Sequence, residues 1–348
     1  MGGDNDNARH YYLGMNRAIV GVGMLLLATF AARADVEFLW GVTGAAGAAS
    51  SLYAINPANG QVLGMIGATG KVCLSGLAIQ PGTKTLFASQ GQLSPTGASP
   101  KAFFQIDKAT GVATQVGAAL ANTMPISDLA IRSDGTLFGF GIGGTVKKLL
   151  TINTSTAAVT TIGNTNNITN VSLTFGNDGT LYLVRTNGLF TVNPATGVMS
   201  ALVAALSGAT TQFDNFMATN AAGAVFGGLR TGGGTTIYRL NTTTGVTTLA
   251  ATVAGVALDG MAFDTAAPPT FAVNGKKKIK TTKSSLTIKG TATSVLPLTV
   301  SAKGKSSIVA AGSWSLKVKL KKGKNKLTLV CADGMGQSVV TTVTVTRN

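Results

Sequence analysis

The chain has 348 residues, of which only 11% are charged, yet it carries a net charge of +16 and 45 glycines. Soluble proteins ordinarily carry about 25% charged residues, and a mix this rich in Gly, Thr, Ala and Val points to many short strands joined by tight turns, not to long amphipathic helices. One histidine, His10, and two distant cysteines, Cys73 and Cys331, exclude Ser-His-Asp and Cys-His catalysis, His-ligated zinc and iron–sulfur clusters once the N-terminal segment is removed, so neither a cofactor nor a metal is expected.

In chain order, Arg17 precedes an apolar run over residues 18–30, followed by Ala32, Arg33 and Ala34 in an A-x-A cleavage pattern. A run of that length is short for a membrane span and fits a secretory signal over residues 1–34, with Met15 as an alternative start. An uncleaved anchor is the competing reading. The expected location is outside the bacterial cytoplasm, secreted or periplasmic, with no transmembrane span after cleavage.

Five segments then repeat one pattern: SLYAINPANGQVLGMIG (51–67), FFQIDKATGVATQVG (103–117), LLTINTSTAAVTTIG (149–163), LFTVNPATGVMSALV (189–203) and IYRLNTTTGVTTLAA (237–251). Each reads as a strand, an Asn- or Asp-led turn and a second strand. A second strand-turn-strand pattern precedes the later four, at 74–89, 126–140, 170–184 and 213–228. Together they make a four-stranded unit spaced at roughly 40 to 50 residues, the period of a propeller blade. LDGMAFD (258–264) is a first strand with no second, and EFLWGVTG (37–44) a second strand with no first. Pairing the two completes a fifth unit and hides the open sheet edges. The expectation over residues 35–267 is a five-bladed β-propeller closed by its N- and C-terminal strands, with a sandwich of the same strands as the alternative.

The hairpin sequences resemble secreted bacterial propeller repeats of the LYxINPxTGxxxxIG kind, loosely similar to YVTN-type and Kelch-like repeats, over residues 37–265. The resemblance implies a fold and leaves function open, because propellers host binding and catalysis alike.

After Pro268-Pro269 the composition changes. Residues 271–348 hold fifteen basic residues and a single acid, Asp333, whereas 35–270 are nearly neutral. Trp314, Leu316, Val318 and Leu320 alternate with Ser315, Lys317 and Lys319, giving a strand with one apolar and one basic face. In KLTLVCA, Leu327, Leu329 and Cys331 share a face, which makes the two cysteines buried thiols on the simplest reading. Val318, Leu320, Gly323, Asn325, Val330, Ala332, Asp333 and Gly336 fall on or near the signature of bacterial Ig-like domains, so residues 268–348 resemble that family. In such proteins the domain is a spacer or adhesion module, and the expected fold is a small β-sandwich.

Two sets of residues carry functional candidates. Asp128, Asp214 and Asp259 fall at the start of first strands, beside Ser75, Ser172 and Asn215. First strands line a propeller channel, so these groups are placed to form a polar ring at its mouth, for a ligand or for a carboxylate pair. The alternative for this set is strand capping and held water. Lys276, Lys277, Lys278, Lys280 and Lys283 form one basic cluster; Lys317, Lys319, Lys321, Lys322, Lys324 and Lys326 form another. Charge of one sign points to an anionic polysaccharide or envelope surface, against which stands mere solubility and edge protection. No aromatic residues interleave the lysines, which argues against specific nucleic-acid binding. No catalytic residue is assigned. The function expected is a secreted or surface-associated binding or scaffold protein, with a glycan-active hydrolase or lyase using the aspartates as the alternative; the oligomeric state is left open.

Overall fold

The structure, a computed structural model, describes residues 34–44, 48–91, 102–118, 120, 125–141, 147–164, 171–185, 188–214 and 216–348. The expected signal segment, with His10 and Met15, and the candidate Asn215 lie outside the described residues. From Ala34 to Asn348 the chain forms one compact unit, and its described elements are all β-strands.

Strands β1 (Val36–Thr43), β2 (Ala49–Ile55) and β3 (Val62–Val72) come first. Four strands in chain order then form one antiparallel sheet: β4 (Leu74–Ile79), β5 (Leu86–Gln90), β6 (Phe103–Ile106) and β7 (Ala113–Gln115). The arrangement recurs in β8 (Ile126–Ile131), β9 (Leu137–Gly141), β10 (Lys148–Ile152) and β11 (Val159–Asn164), and again in β12 (Val171–Phe175), β13 (Leu181–Arg185), β14 (Gly188–Val192) and β15 (Ala204–Ala205). The short β16 (Ser207–Gly208) joins the next sheet in parallel beside β20, whose other strands are β17 (Met217–Thr219), β18 (Val225–Thr231) and β19 (Gly234–Leu240), with β20 spanning Val246–Ala254. Finally β21 (Leu258–Ala266) pairs antiparallel with β1, so strands from both ends of the repeat region share one sheet, ordered β21-β1-β2-β3. These four-stranded sheets are propeller-like. The innermost strands follow one another in a cycle: β4 lies against β8, β8 against β12, β12 against β17, β17 against β21, and β21 against β4.

Turn chemistry explains the hairpins. Asn56, Asp107, Asn153, Asn193 and Asn241 each accept a hydrogen bond at Oδ1 from the backbone N–H two residues on, at 2.7–3.0 Å. That side-chain bond mimics a backbone turn. The turn closes on a residue with positive φ, Gly60, Gly111, Gly197 or Gly245, and in one repeat Ala157 at φ 59°. The alanine carries strain that glycine avoids.

One predicted hairpin is eroded. The second strand expected near 198–203 is reduced to a single bridge, Val192 to Met199, and the two-residue β15. Ser200 Oγ takes the N–H of Thr191 at 3.0 Å, so a hydroxyl replaces the carbonyl that a regular ladder would offer.

The seams beside the closing sheet are bridged by polar groups, one of them buried. Asp264 on β21 is 3% exposed. It accepts from Trp40 Nε1 on β1 at 3.1 Å and from Lys108 Nζ, in the β6–β7 turn of the next sheet, at 3.0 Å. Lys84 Nζ stands 3.6 Å away. On the other side, Glu37 accepts from Ala221 N at 2.8 Å and from Asn220 Nδ2 at 3.0 Å, in the β17–β18 turn.

The C-terminal segment makes two further sheets. Its strands are β22 (Thr270–Val273), β23 (Lys278–Thr281), β24 (Ser285–Thr293), β25 (Leu298–Ala302), β26 (Lys305–Ile308), β27 (Ser313–Lys319), β28 (Gly323–Asp333) and β29 (Ser338–Arg347). They are ordered β22-β24-β27 and β23-β29-β28-β25-β26. Trp314, Leu316, Val318, Leu327, Leu329, Cys331, Val343 and Val345 fill the space between. A Cβ on Gly290 would collide with the Trp314 ring and with Ala272 O, so glycine is what lets the indole pack against β24. Cys73 and Cys331 are buried and not bridged to each other.

One end of this sandwich is docked on the first sheet. Leu296, between β24 and β25, is buried in the same cluster as Phe38, Trp40 and Leu52, with Val295, Met335, Leu63 and Ile66 packed around it. Gln337 Nε2 donates to Ala34 O at 3.1 Å. Burying one leucine is worth about 2 kcal/mol, so the segment after Pro268-Pro269 is not loosely tethered.

Candidate functional site

The inner strands approach closely at two glycines: a Cβ on Gly76 would sit 2.7 Å from Leu129 N, which leaves no room for a side chain, and one on Gly260 would press on Gly76 N at 3.0 Å. Into this constriction projects Asp128, 1% exposed, from β8. Its carboxylate accepts from Leu129 N at 2.9 Å, from Leu173 N on β12 at 2.9 Å and from Met217 N on β17 at 3.3 Å. One side chain thus satisfies backbone donors on three successive inner strands. Burial pushes its pKa well above the usual aspartate range, opposed by these three N–H groups.

At the start of the inner strands lies a charged mouth. Asp214 just before β17 and Asp259 at the start of β21 are both held by Arg230 from β18. Arg230 Nε stands 3.4 Å from Asp214 Oδ2, its backbone N–H also donates to Asp214, and its guanidinium donates to Asp259. Burial raises the pKa of Asp259, with Arg230 and the Gly44 N–H opposing and the charge of Asp214 adding to the rise. Ser75 donates to Ile126 O at 2.9 Å, tying two inner strands, and Ser172 is buried.

Beyond Asp128, at the other end of the inner strands, is a pocket of about 410 Å³ with a mixed lining that includes Ser133, Thr174, Asn177 and Thr219. Leu77, Leu129, Phe175, Met217, Met261 and Phe263 are among its lining residues, one or more from every inner strand. Of the three sequence candidates, then, Asp214 and Asp259 are brought together around Arg230, and Asp128 is committed to backbone donors in the constriction. Sequence reasoning missed Arg230, which carries no motif and sits sixteen residues from Asp214.

Among the turn acids, Asp134 has its pKa lowered by its bond to Arg132, and Asp178 by the Thr180 N–H. Both stabilise exposed turns. Among the described residues, no group of three or more His, Cys, Asp or Glu side chains is placed to hold a metal ion.

The lysines form the second site. Lys276, Lys277, Lys278, Lys280, Lys317, Lys319, Lys321, Lys322, Lys324 and Lys326 are all exposed. Register brings the two sequence clusters together. Lys278 pairs with Thr344, and Thr344 with Lys326; Lys280 pairs with Thr346, and Thr346 with Lys324. Lys319 lies opposite Ser285 at the same end of the other sheet, and Lys321 and Lys322 fill the turn between β27 and β28. Asn325 organises that turn, accepting from Lys321 N at 2.9 Å and donating to Lys321 O at 2.8 Å. The docked residues Leu296 and Met335 belong to the opposite end, beside Asp333. Nine residue steps along β28 carry the chain from Lys324 to Asp333, about 30 Å. Among the described residues, none of these lysines makes an ion pair.

Residues 269–348 match the family model of glucodextranase, domain B. No curated protein matches the chain. Among solved structures, TolB from Acinetobacter baumannii is 12% identical, with a TM-score of 0.41, covering 88% of this chain and 63% of its own. The chain thus spans less than two thirds of TolB. A nidogen/laminin complex is 10% identical over 66% of this chain and 98% of its own, TM-score 0.42. Virginiamycin B lyase from Staphylococcus aureus is 12% identical over 80% of each chain, TM-score 0.34.

Proposed function

We propose that this is a secreted or cell-surface-associated bacterial protein that binds and does not catalyse. On this reading residues 35–267 are a five-bladed propeller serving as a rigid binding disc. Residues 268–348 are an Ig-like sandwich whose lysine end contacts an anionic envelope or matrix polymer. The observation that carries the proposal is the convergence of two lysine clusters at the sandwich end far from the ring, with no acid among them. A merely solvated surface mixes signs. The match of residues 269–348 to a domain of glucodextranase supports a carbohydrate setting. The Asp214–Arg230–Asp259 mouth is the place where the disc would take its own ligand, with Ser75, Ser172 and Asn215 in the same candidate set.

The test is binding of the full chain to immobilised polygalacturonate and to neutral dextran. The proposal expects binding to the polyuronate alone, lost as ionic strength rises to about 0.5 M, where charges are screened within a few ångströms. Equal retention on dextran, or none on either, contradicts it.

A second reading, a glycan-active hydrolase or lyase, is favoured by one observation: Asp259, raised by burial, stands beside the more exposed Asp214. Two carboxylates in unlike environments suit acid–base work. Release of reducing ends from acidic glycans by the full chain, abolished in Asp259→Asn, would establish it.

A further inference from the structure

The lysines at the far end of the sandwich are not distributed alike on its two faces. On the three-stranded sheet, β27 offers one basic column, Lys317 and Lys319, facing Thr287 and Ser285 on β24. There β22 pairs only with the other end of β24, from Gly290 to Thr293, so no second column stands alongside. On the five-stranded sheet, two columns flank a third. Lys278 and Lys280 on the edge strand β23, and Lys324 and Lys326 on β28, stand on either side of Thr344 and Thr346 on β29. The intervening Ile279 and Val345 point into the core, as does Leu327 just beyond Lys326, and Asn325 between the β28 lysines is buried, which fixes all six polar side chains on the outer face.

The spacing follows from sheet geometry: the lysine columns are two strands apart, roughly 10 Å, and the rows two residues apart, roughly 7 Å. The result is a flat lattice of four ammonium groups over a floor of two hydroxyls. Its chemistry is specific in what it lacks. The one arginine nearby, Arg347, alternates to the other face of β29 and donates to Leu320 O at 3.1 Å, so this face has no guanidinium to clamp a phosphate in bidentate fashion, no aromatic ring to stack a base, and no apolar side chain among its six residues to enter a bilayer. A threonine hydroxyl donates and accepts, which suits sugar hydroxyls, and lysine is a point charge that takes a carboxylate or sulfate from many directions.

We infer that the outer face formed by Lys278, Lys280, Thr344, Thr346, Lys324 and Lys326 is a track for an acidic polysaccharide. The chain lies across the strands, with acidic groups on the two lysine columns and sugar hydroxyls over the threonines. This rests on the binding reading above and narrows it to one face and one class of polymer. Because the opposite end of the sandwich shares a core with the first sheet of the ring, a polymer on the track is held at a fixed bearing to the ring.

The test uses the full chain and polygalacturonate, with three variants. Lys278→Gln/Lys280→Gln/Lys324→Gln/Lys326→Gln removes the track charges. Lys289→Gln/Lys305→Gln/Lys317→Gln/Lys319→Gln removes four charges elsewhere on the sandwich. Thr344→Val/Thr346→Val removes the hydroxyl floor and keeps every charge. The expected result is a loss of at least about tenfold in affinity for the first and about threefold or less for the second, with the threonine variant several-fold weaker than wild type. Equal losses in the two lysine variants, or wild-type affinity in the threonine variant, overturns the track and leaves the general anionic reading standing. Tighter binding to phosphatidylglycerol vesicles than to polygalacturonate replaces the polysaccharide with a membrane. Failure of the wild-type chain to bind any anionic probe removes both readings together.

Discussion

The ring and the sandwich use charge in opposite ways. In the ring, the charged groups that matter are turned inward on one another or on the backbone: Asp264 to Trp40 and Lys108, Glu37 to a turn, Asp128 to three N–H groups, Arg230 to two aspartates. In the sandwich, fifteen basic residues face a single acid, and the basic lattice points at solvent with a packed apolar core behind it. A charge with a partner inside the fold is spent on holding sheets together; a charge without one is free to hold something else.

That contrast predicts where substitutions hurt. The largest effect belongs to Asp128→Ala, which leaves the N–H groups of Leu129, Leu173 and Met217 buried without an acceptor. At about 1–3 kcal/mol for each orphaned group, a loss near 4 kcal/mol is expected in urea unfolding. The pH dependence sharpens it. Burial raises the folded pKa of Asp128 above its unfolded value, so the folded state binds more protons than the unfolded state between the two. The contribution of this group is therefore full below the unfolded pKa and declines as pH rises through the folded one. Wild type should lead the alanine variant by more at about pH 4 than at about pH 8.

Next is Asp264→Ala, which strands Trp40 Nε1 and Lys108. Breaking a buried pair costs about 3 kcal/mol, read by the same unfolding curve. Smaller is Met335→Asp at the docked end, where a carboxylate placed against Leu296 and Leu63 is expected to split one calorimetric transition into two while both parts stay folded. Smallest is Ala157→Gly, which relieves a positive φ and is expected to add about 0.5 kcal/mol, partly offset by the lost buried methyl. If any lysine-to-glutamine change on the sandwich cost as much as the ring substitutions, the contrast between the two regions would fail.

Much of this fold was legible because its signals are local. An Asn or Asp leading a short turn, closed by Thr-Gly in three of the five copies, writes its own geometry, and the five copies set the repeat. The complementary strands at 37–44 and 258–264 could be matched because each lacked what the other had, and β1 does pair with β21. The short strands β22, β23 and β26 escaped notice: four residues each, they leave too little alternation to read. The site was legible in its residue types and not in its geometry. Asp214 and Asp259 were visible as candidates, yet Arg230 between them was not, since ion pairs across strands leave no spacing rule. The two lysine clusters looked separate, because β23 pairs in parallel with the last strand of the chain, a long-range choice that composition does not encode.

The most direct measurement is the affinity of the full chain for an acidic polysaccharide across ionic strength, for wild type and for the variant lacking Lys278, Lys280, Lys324 and Lys326. Tight binding at low salt that falls steeply as salt rises is expected, with a variant that folds with wild-type stability but binds at least about tenfold more weakly. Binding indifferent to salt, or retained in full by the variant, would contradict it and return attention to the Asp214–Arg230–Asp259 mouth.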